Sequence, residues 1–326
     1  MVLSKKRLIS ITFILMIVFF FILFFLPDNI IGHRDDNLLL FIPKIMFLAM
    51  TATFVTVFIL IFVFRNDYIK GQYHLFSKFK YYLRLLIKRD FVSKYRKSVL
   101  GVLWSLLNPM LTMLVMTMIF SYLFDFEIDN FPVYLLSGLS IFSFFSESTT
   151  LSLSSVIASE SIIKKIYIPK YIFPLSRVIS SLVNMLFSLI AVFIVILVTR
   201  APYYWTMLLI PIPIIYVFLF SLGVSMLVSS LAVFFRDLKY LYGIFTTLLM
   251  YLSAIFWPVT ILRGFLSQVI GLNPLYQFIL YFRNLVYWGT VPDLWSNFVC
   301  LGFALSSLCL GTYVFMRQQD KYILSL

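Results

Sequence analysis

Of 326 residues, 62% are hydrophobic and 12% charged, and the mean hydropathy is +1.01. A soluble domain carries about a quarter charged residues, so these values exclude a water-soluble globular protein and leave a chain solvated mainly by lipid. The formal charge of +13 calls for no nucleic acid, because basic flanks facing anionic lipid account for most of it.

A bilayer offers no water to backbone polar groups, so spans must be helices or a closed barrel. The apolar runs are long and continuous rather than alternating, which predicts an all-α integral membrane protein. Eight spans are expected in chain order, at 8–26, 43–64, 98–124, 132–155, 171–199, 207–233, 240–262 and 293–316. The first follows Lys5, Lys6 and Arg7 like a signal segment. Its apolar core is too long for that, and Leu26-Pro27-Asp28 has no small-residue cleavage pattern, so it reads as a retained span.

With the N-terminus on the cytoplasmic side, only Arg34, Lys44, Arg200, Arg263 and Arg283 fall outside. The other 21 of the 26 basic residues fall inside. The positive-inside rule therefore puts both termini in the cytoplasm. Spans and short connections consume nearly the whole length and leave no room for a soluble catalytic domain. Cys300 and Cys309 fall on opposite faces of one helix, and His33 and His74 are isolated. Neither a disulfide nor a metal site is expected.

Between the second and third spans, Leu75, Phe76, Phe79, Tyr82, Leu83, Leu86 and Ile87 share one helical arc, and Lys78, Lys80, Arg84, Lys88 and Arg89 occupy the rest. This predicts an amphipathic helix lying in the cytoplasmic headgroup layer, either as a surface anchor or as a platform for a partner. In the stretch that follows, Ser98 is placed to start a helix, Gly101 allows a close approach or a break, Trp104 suits the interface, and Pro109 removes a helical hydrogen bond. The helix either lines a path or is simply kinked.

Farther on, the fourth span carries Ser137, Ser140, Ser143, Ser146, Ser148, Thr149, Thr150 and Ser152. Such hydroxyls usually satisfy their own backbone or pack helices closely. Glu147 among them is an ionisable group within a span, which either faces the bundle interior or an aqueous path, or has a structural partner or a location nearer the interface. Ser221, Ser225 and Ser229 form a small-residue packing ridge.

The order Arg89, Asp90, Tyr95, Arg96, Ser98, Leu100, Gly101, Trp104, Pro109 resembles the membrane subunits of type-2 ABC exporters that move polysaccharides, O-antigens and teichoic acids. Three later stretches are similar to the same family: "SESIIKKIYIPKYIFPLSRVIS", "FFRDLKYL" and "LNPLYQFILYFRNLVYWGTVPD". The resemblance covers about residues 76–320. It implies a six-span core over 98–326, preceded by an amphipathic interface helix and basic collar at 67–97. Two additional spans, in 1–66, depart from the usual family pattern.

The resemblance further implies an entrance at Lys88, Arg89, Asp90, Tyr95, Arg96, Ser98, Gly101, Trp104 and Pro109, with Lys94 and Lys97 in the collar. A coupling segment at 156–170 would use Glu160, Ile162, Lys164, Lys165, Ile166, Tyr167 and Pro169. External exit helices at 263–292 would begin near Asn273 and Pro274.

The implied activity is export of a lipid-linked polymer across a bacterial cytoplasmic membrane, by a homodimer working with two separate ATPase subunits. The chain has no G-x-x-x-x-G-K-[ST] loop, so ATP and magnesium are expected only on that partner. A permease for a small drug or lipid is the alternative. A membrane glycosyltransferase fits less well, because Asp125, Glu127 and Asp129 crowd one short external loop.

Overall fold

The computed structural model describes residues 66–95, 100–123, 128–165, 168–258 and 269–322. The expected spans at 8–26 and 43–64, together with Arg96, Lys97, Ser98, Ile166, Tyr167 and the first part of the exit helices, lie outside the described residues. Within them the chain is helical, with no strand: α1 (Asn66–Tyr95), α2 (Trp104–Leu123), α3 (Phe131–Leu153), the short α4 (Glu160–Ile163), α5 (Ile172–Val198), α6 (Pro211–Phe234), α7 (Leu238–Leu252), α8 (Pro274–Val286) and α9 (Leu294–Gln318).

Among the described residues, four stretches are long and apolar enough to cross a membrane: Gly101–Phe120, Ile172–Val198, Trp205–Phe234 and Leu294–Lys321. The chain is thus a multi-pass membrane protein. At 23 residues α3 is also long enough, but its hydroxyls dilute its apolar character. It compensates by being wrapped in protein, packed against α2, α5, α6 and α8. Leu135, Leu136, Ile141, Phe144 and Phe145 are buried along it. The hydroxyls of Ser137, Ser140, Ser148, Thr149 and Ser152 donate to carbonyls three or four residues back. That arrangement satisfies a buried polar helix without outside partners.

Two helices differ from the sequence expectation. The apolar pattern at 240–262 suggested a full span, yet α7 ends at Leu252 after 15 residues. That is about 22 Å, short of a hydrocarbon core of about 30 Å. The backbone leaves the helix at Ala254, whose φ of 48° is left-handed. The amphipathic helix is longer than 75–89, and its face is not wholly given to lipid. Leu83 and Leu86 are buried in the protein core, with Phe79, Tyr82 and Ile87 packed beside them. Phe91 stacks on Phe187 of α5 at 6.4 Å.

Antiparallel succession sorts the connections to two ends of the bundle. At one end Lys170, just before α5, donates to the Gln319 carbonyl after α9 and lies over the Tyr322 ring. Burial there lowers the Lys170 pKa, opposed by Asp320. Ser230 near the end of α6 donates to Gln318 at 2.6 Å. At the other end the Tyr287 hydroxyl reaches the Asp129 carbonyl, and Thr206 donates to Leu285 O at 2.7 Å. Between the ends, α6 and α9 cross backbone to backbone. A Cβ on Gly311 would collide with the Gly223 carbonyl, and one on Gly223 with the Ser307 carbonyl. Ser221, Ser225 and Ser229 are fully buried along α6.

Candidate functional site

Among the described residues, a polar groove lies between α1, α2, α3 and α5. Its chamber beside α2, about 400 Å³, is walled by Trp104, Asn108 and Pro109 of α2, Ser143 of α3, and Asn184 and Ser188 of α5. A second chamber, about 490 Å³, lies along α1 and is lined by Arg89, Asp90 and Phe91, with Ser180 and Arg177 of α5. Lys94, Glu147 and Asn184 line both, so the two are neighbours sharing one wall.

Two charge clusters hold α1 to the core here. Asp90 is the pivot of the first, with its side chain only 9% exposed. Its Oδ1 accepts from Arg89 Nε and Nη2 at 3.3 and 3.2 Å. Its Oδ2 lies 2.9 Å from Nη1 of Arg177 on α5. This second contact is an approach of opposite charges rather than an aligned hydrogen bond. In the second cluster Glu147 Oε1 accepts from Lys94 Nζ at 2.7 Å and from Asn184 Nδ2 at 2.9 Å. Glu147 therefore is held by partners on α1 and α5. A carboxylate paired this way avoids most of the penalty of sitting in a span.

The other expected entrance residues divide by position. Lys88 is exposed on α1. Tyr95 is the last residue of that helix, and Arg96 and Ser98 fall outside the described residues. Gly101 has a φ of 48° and nothing within 4 Å of where a Cβ would stand. Its left-handed backbone is one that glycine adopts without strain. Trp104 opens α2 half-exposed, and Pro109 sits inside that helix. Arg177, Ser180, Asn184, Asn108 and Ser188 were not singled out from the sequence. Their signal was polar spacing on otherwise apolar helices.

The expected coupling segment forms a turn at Ile157–Ser159, then α4. Glu160 and Lys164 pair at 2.6 Å on its exposed side, while Ile163 and Ile168 anchor it in the core. Ile162 is half-buried, and Lys165 is exposed. Pro169 leads into α5. At the far end Asn273 and Pro274 are the N-cap and first residue of α8. Asn273 Oδ1 accepts from Leu275 N at 3.0 Å, while its Nδ2 donates to Leu252 O and Ser253 Oγ at the end of α7.

Beside that junction lies a residue read from sequence only as an external charge. Arg283 of α8 is 1% exposed. It donates to the carbonyls of Tyr134 at 3.2 Å, Ala254 at 2.9 Å and Ile255 at 3.0 Å. Its guanidinium lies 3.5 Å from the centre of the Tyr134 ring. Gly138 makes the room, since a Cβ there would stand 2.8 Å from Arg283 Nη2. Among the described residues no cluster of His, Cys, Asp or Glu could hold a metal ion.

Residues 81–287, from α1 to just past α8, match the ABC-2 type transporter family. The chain is 33% identical over 227 residues to the O-antigen export system permease protein RfbA of Klebsiella pneumoniae, covering 68% of this chain and 86% of that protein. It is 24% identical over 239 residues to the O-antigen export system permease protein RfbA of Myxococcus xanthus, covering 73% and 92%. It is 23% identical over 258 residues to the polysialic acid transport protein KpsM of Escherichia coli, covering 74% and 94%.

Proposed function

The chain belongs to the ABC-2 type transporter family, and on that premise we propose that it is the permease subunit of an ATP-driven exporter of a lipid-linked polysaccharide. The observation that carries this reading is the likeness to O-antigen and polysialic acid export proteins along nearly their whole lengths. The subunit works as a homodimer with two ATPase subunits, which bind ATP and magnesium. Both termini face the cytoplasm of a bacterium, and two additional N-terminal spans precede the core.

Structural features support the arrangement. The outer face of α2 exposes Leu111, Leu114, Val115 and Met118, and that of α7 exposes Tyr240, Leu241, Ile244 and Leu248. These faces suit lipid on one side and a second copy on the other, with the path between copies. ATP-driven closure pushes on the coupling segment around α4 and on α1. Motion of α1 reaches α3 and α5 directly, through Lys94–Glu147 and Asp90–Arg177. The basic collar, including Lys88, Arg89 and Lys94, draws the phosphates of the lipid carrier to the cytoplasmic leaflet.

The test is co-purification of the chain with an ATPase subunit, followed by depletion of the chain in its host. Lipid-linked glycan should accumulate on the cytoplasmic side and clear when the chain is restored. Failure to find any ATPase partner sinks the reading. Within it, replacing Arg89 and Arg96 together by Gln should lower export, and unchanged export would remove the charge-capture step alone.

A further inference from the structure

Three otherwise apolar helices each turn a polar row toward the same groove. On α2 the row is Ser105, Asn108 and Thr112; on α3 it is Ser140, Ser143 and Glu147. On α5 it is Arg177, Ser180 and Asn184. All three follow i, i+3, i+7, the spacing that keeps side chains on one helical face. Charged and amide groups in a span are costly toward lipid and mark polar pathways. Three such rows converging on one space point to a polar occupant.

Self-satisfaction explains Ser140 and the other buried α3 hydroxyls but not Ser143. Ser143 is exposed although Phe142, Phe144 and Phe145 around it are buried, and Asn108 is exposed on α2. Ser180 is 7% exposed and lines the chamber along α1, yet its Oγ has no hydrogen-bond partner among the described residues. A buried hydroxyl left so is uncommon in native structures. The combined space also falls within the size range of small-molecule sites.

The groove is chemically zoned. Beside α2 it offers two amides, several hydroxyls, the Glu147 carboxylate and the indole of Trp104. Mixed donors and acceptors next to an aromatic surface suit a ring bearing many hydroxyls. Along α1 it offers Arg89 and Arg177, whose forked donors suit phosphate oxygens. Each arginine meets Asp90 through part of its fork, and a guanidinium carries five N–H donors.

The geometry points to a sugar-phosphate site contained within one copy of the chain. It holds the sugar unit nearest the carrier lipid between Trp104, Asn108, Ser143 and Asn184, with the attached phosphate at Arg89 and Arg177. This rests on the reading of the substrate as a lipid-linked polymer, and adds which of its units the permease grips.

The test uses the full chain in nanodiscs of neutral phospholipid at physiological salt. Binding is compared for citronellyl pyrophosphate and for the same lipid bearing N-acetylglucosamine or galactose. At least one sugar-bearing probe should bind about tenfold more tightly, the worth of one or two hydrogen bonds. Asn108→Ala with Ser143→Ala should abolish that margin and leave the sugarless probe unchanged. Ser143→Phe, which fills the chamber while both amide residues are retained, should do the same. Arg177→Gln should weaken every probe, with rescue by Arg177→Lys. Equal binding of sugarless and sugar-bearing probes overturns the sugar site while sparing the phosphate entrance, as does a margin that survives both variants. No binding of any probe overturns both. Competition by phosphatidylglycerol against the sugarless probe alone supports the site, and equal competition against all probes overturns it.

Discussion

The two ends of this bundle hold cations by opposite means. Near α8, Arg283 is enclosed and satisfied by three neutral carbonyls from two places in the chain. Near α1, Arg177 and Lys94 are satisfied by carboxylates and border a polar groove. Carbonyls at a helix end belong to the backbone and cannot leave without unwinding it. Carboxylates sit on side chains that can exchange partners by rotating. The first arrangement therefore resists opening more strongly than the second.

The comparison breaks most sharply at Arg283. Arg283→Met keeps much of the volume but strips donors from buried carbonyls, and should lower stability by about 3–5 kcal/mol. Thermal unfolding in detergent checks this, and a loss no greater than at Asp90 would erase the contrast. Gly138→Ala places a methyl against the same guanidinium and should cost about 1–3 kcal/mol by overpacking, with partial recovery in the Arg283→Met background. Asp90→Asn leaves Arg177 without its carboxylate. Because Arg177 keeps 21% side-chain exposure, the expected loss is smaller, about 2 kcal/mol. Lys94→Met should cost about 1 kcal/mol, since its pair is nearly half exposed on the lysine side. That loss should shrink as salt rises, which the Arg283 effect should not. Glu160→Gln, removing an exposed pair on α4, should change stability by under about 0.5 kcal/mol.

Much of the scaffold could be read in one dimension, because a span must be apolar for its full length. The boundaries expected for α3, α5, α6 and α9 fall close to those observed. The self-satisfied hydroxyls of α3 also followed from local chemistry. Contacts distant in sequence were hidden. Arg283 counted as an external charge, since charge counting cannot tell a solvated arginine from one enclosed by carbonyls of residues 134, 254 and 255. The early end of α7 was hidden for the same reason: the apolar run continues past Leu252, and the break is held by α8. Asp90 was legible from its motif, but its partner Arg177 passed as an ordinary flank of α5. The polar rows on α2, α3 and α5 were present in the spacing, although only the fold shows that they meet.

The glycine crossing of α6 and α9 has a consequence for how the protein is made. Gly223 emerges from the ribosome well before Gly311, and until α9 arrives its small-residue notch has only lipid or a chaperone to fill it. Closure of the bundle is thus a late, post-insertional event. The enclosed Tyr322, packed on Phe315 and Phe234, is among the last described residues to take its place. Chains stalled before α9 would carry an open seam along α6, where Gly223 meets Ser307 and Gly311 in the closed bundle.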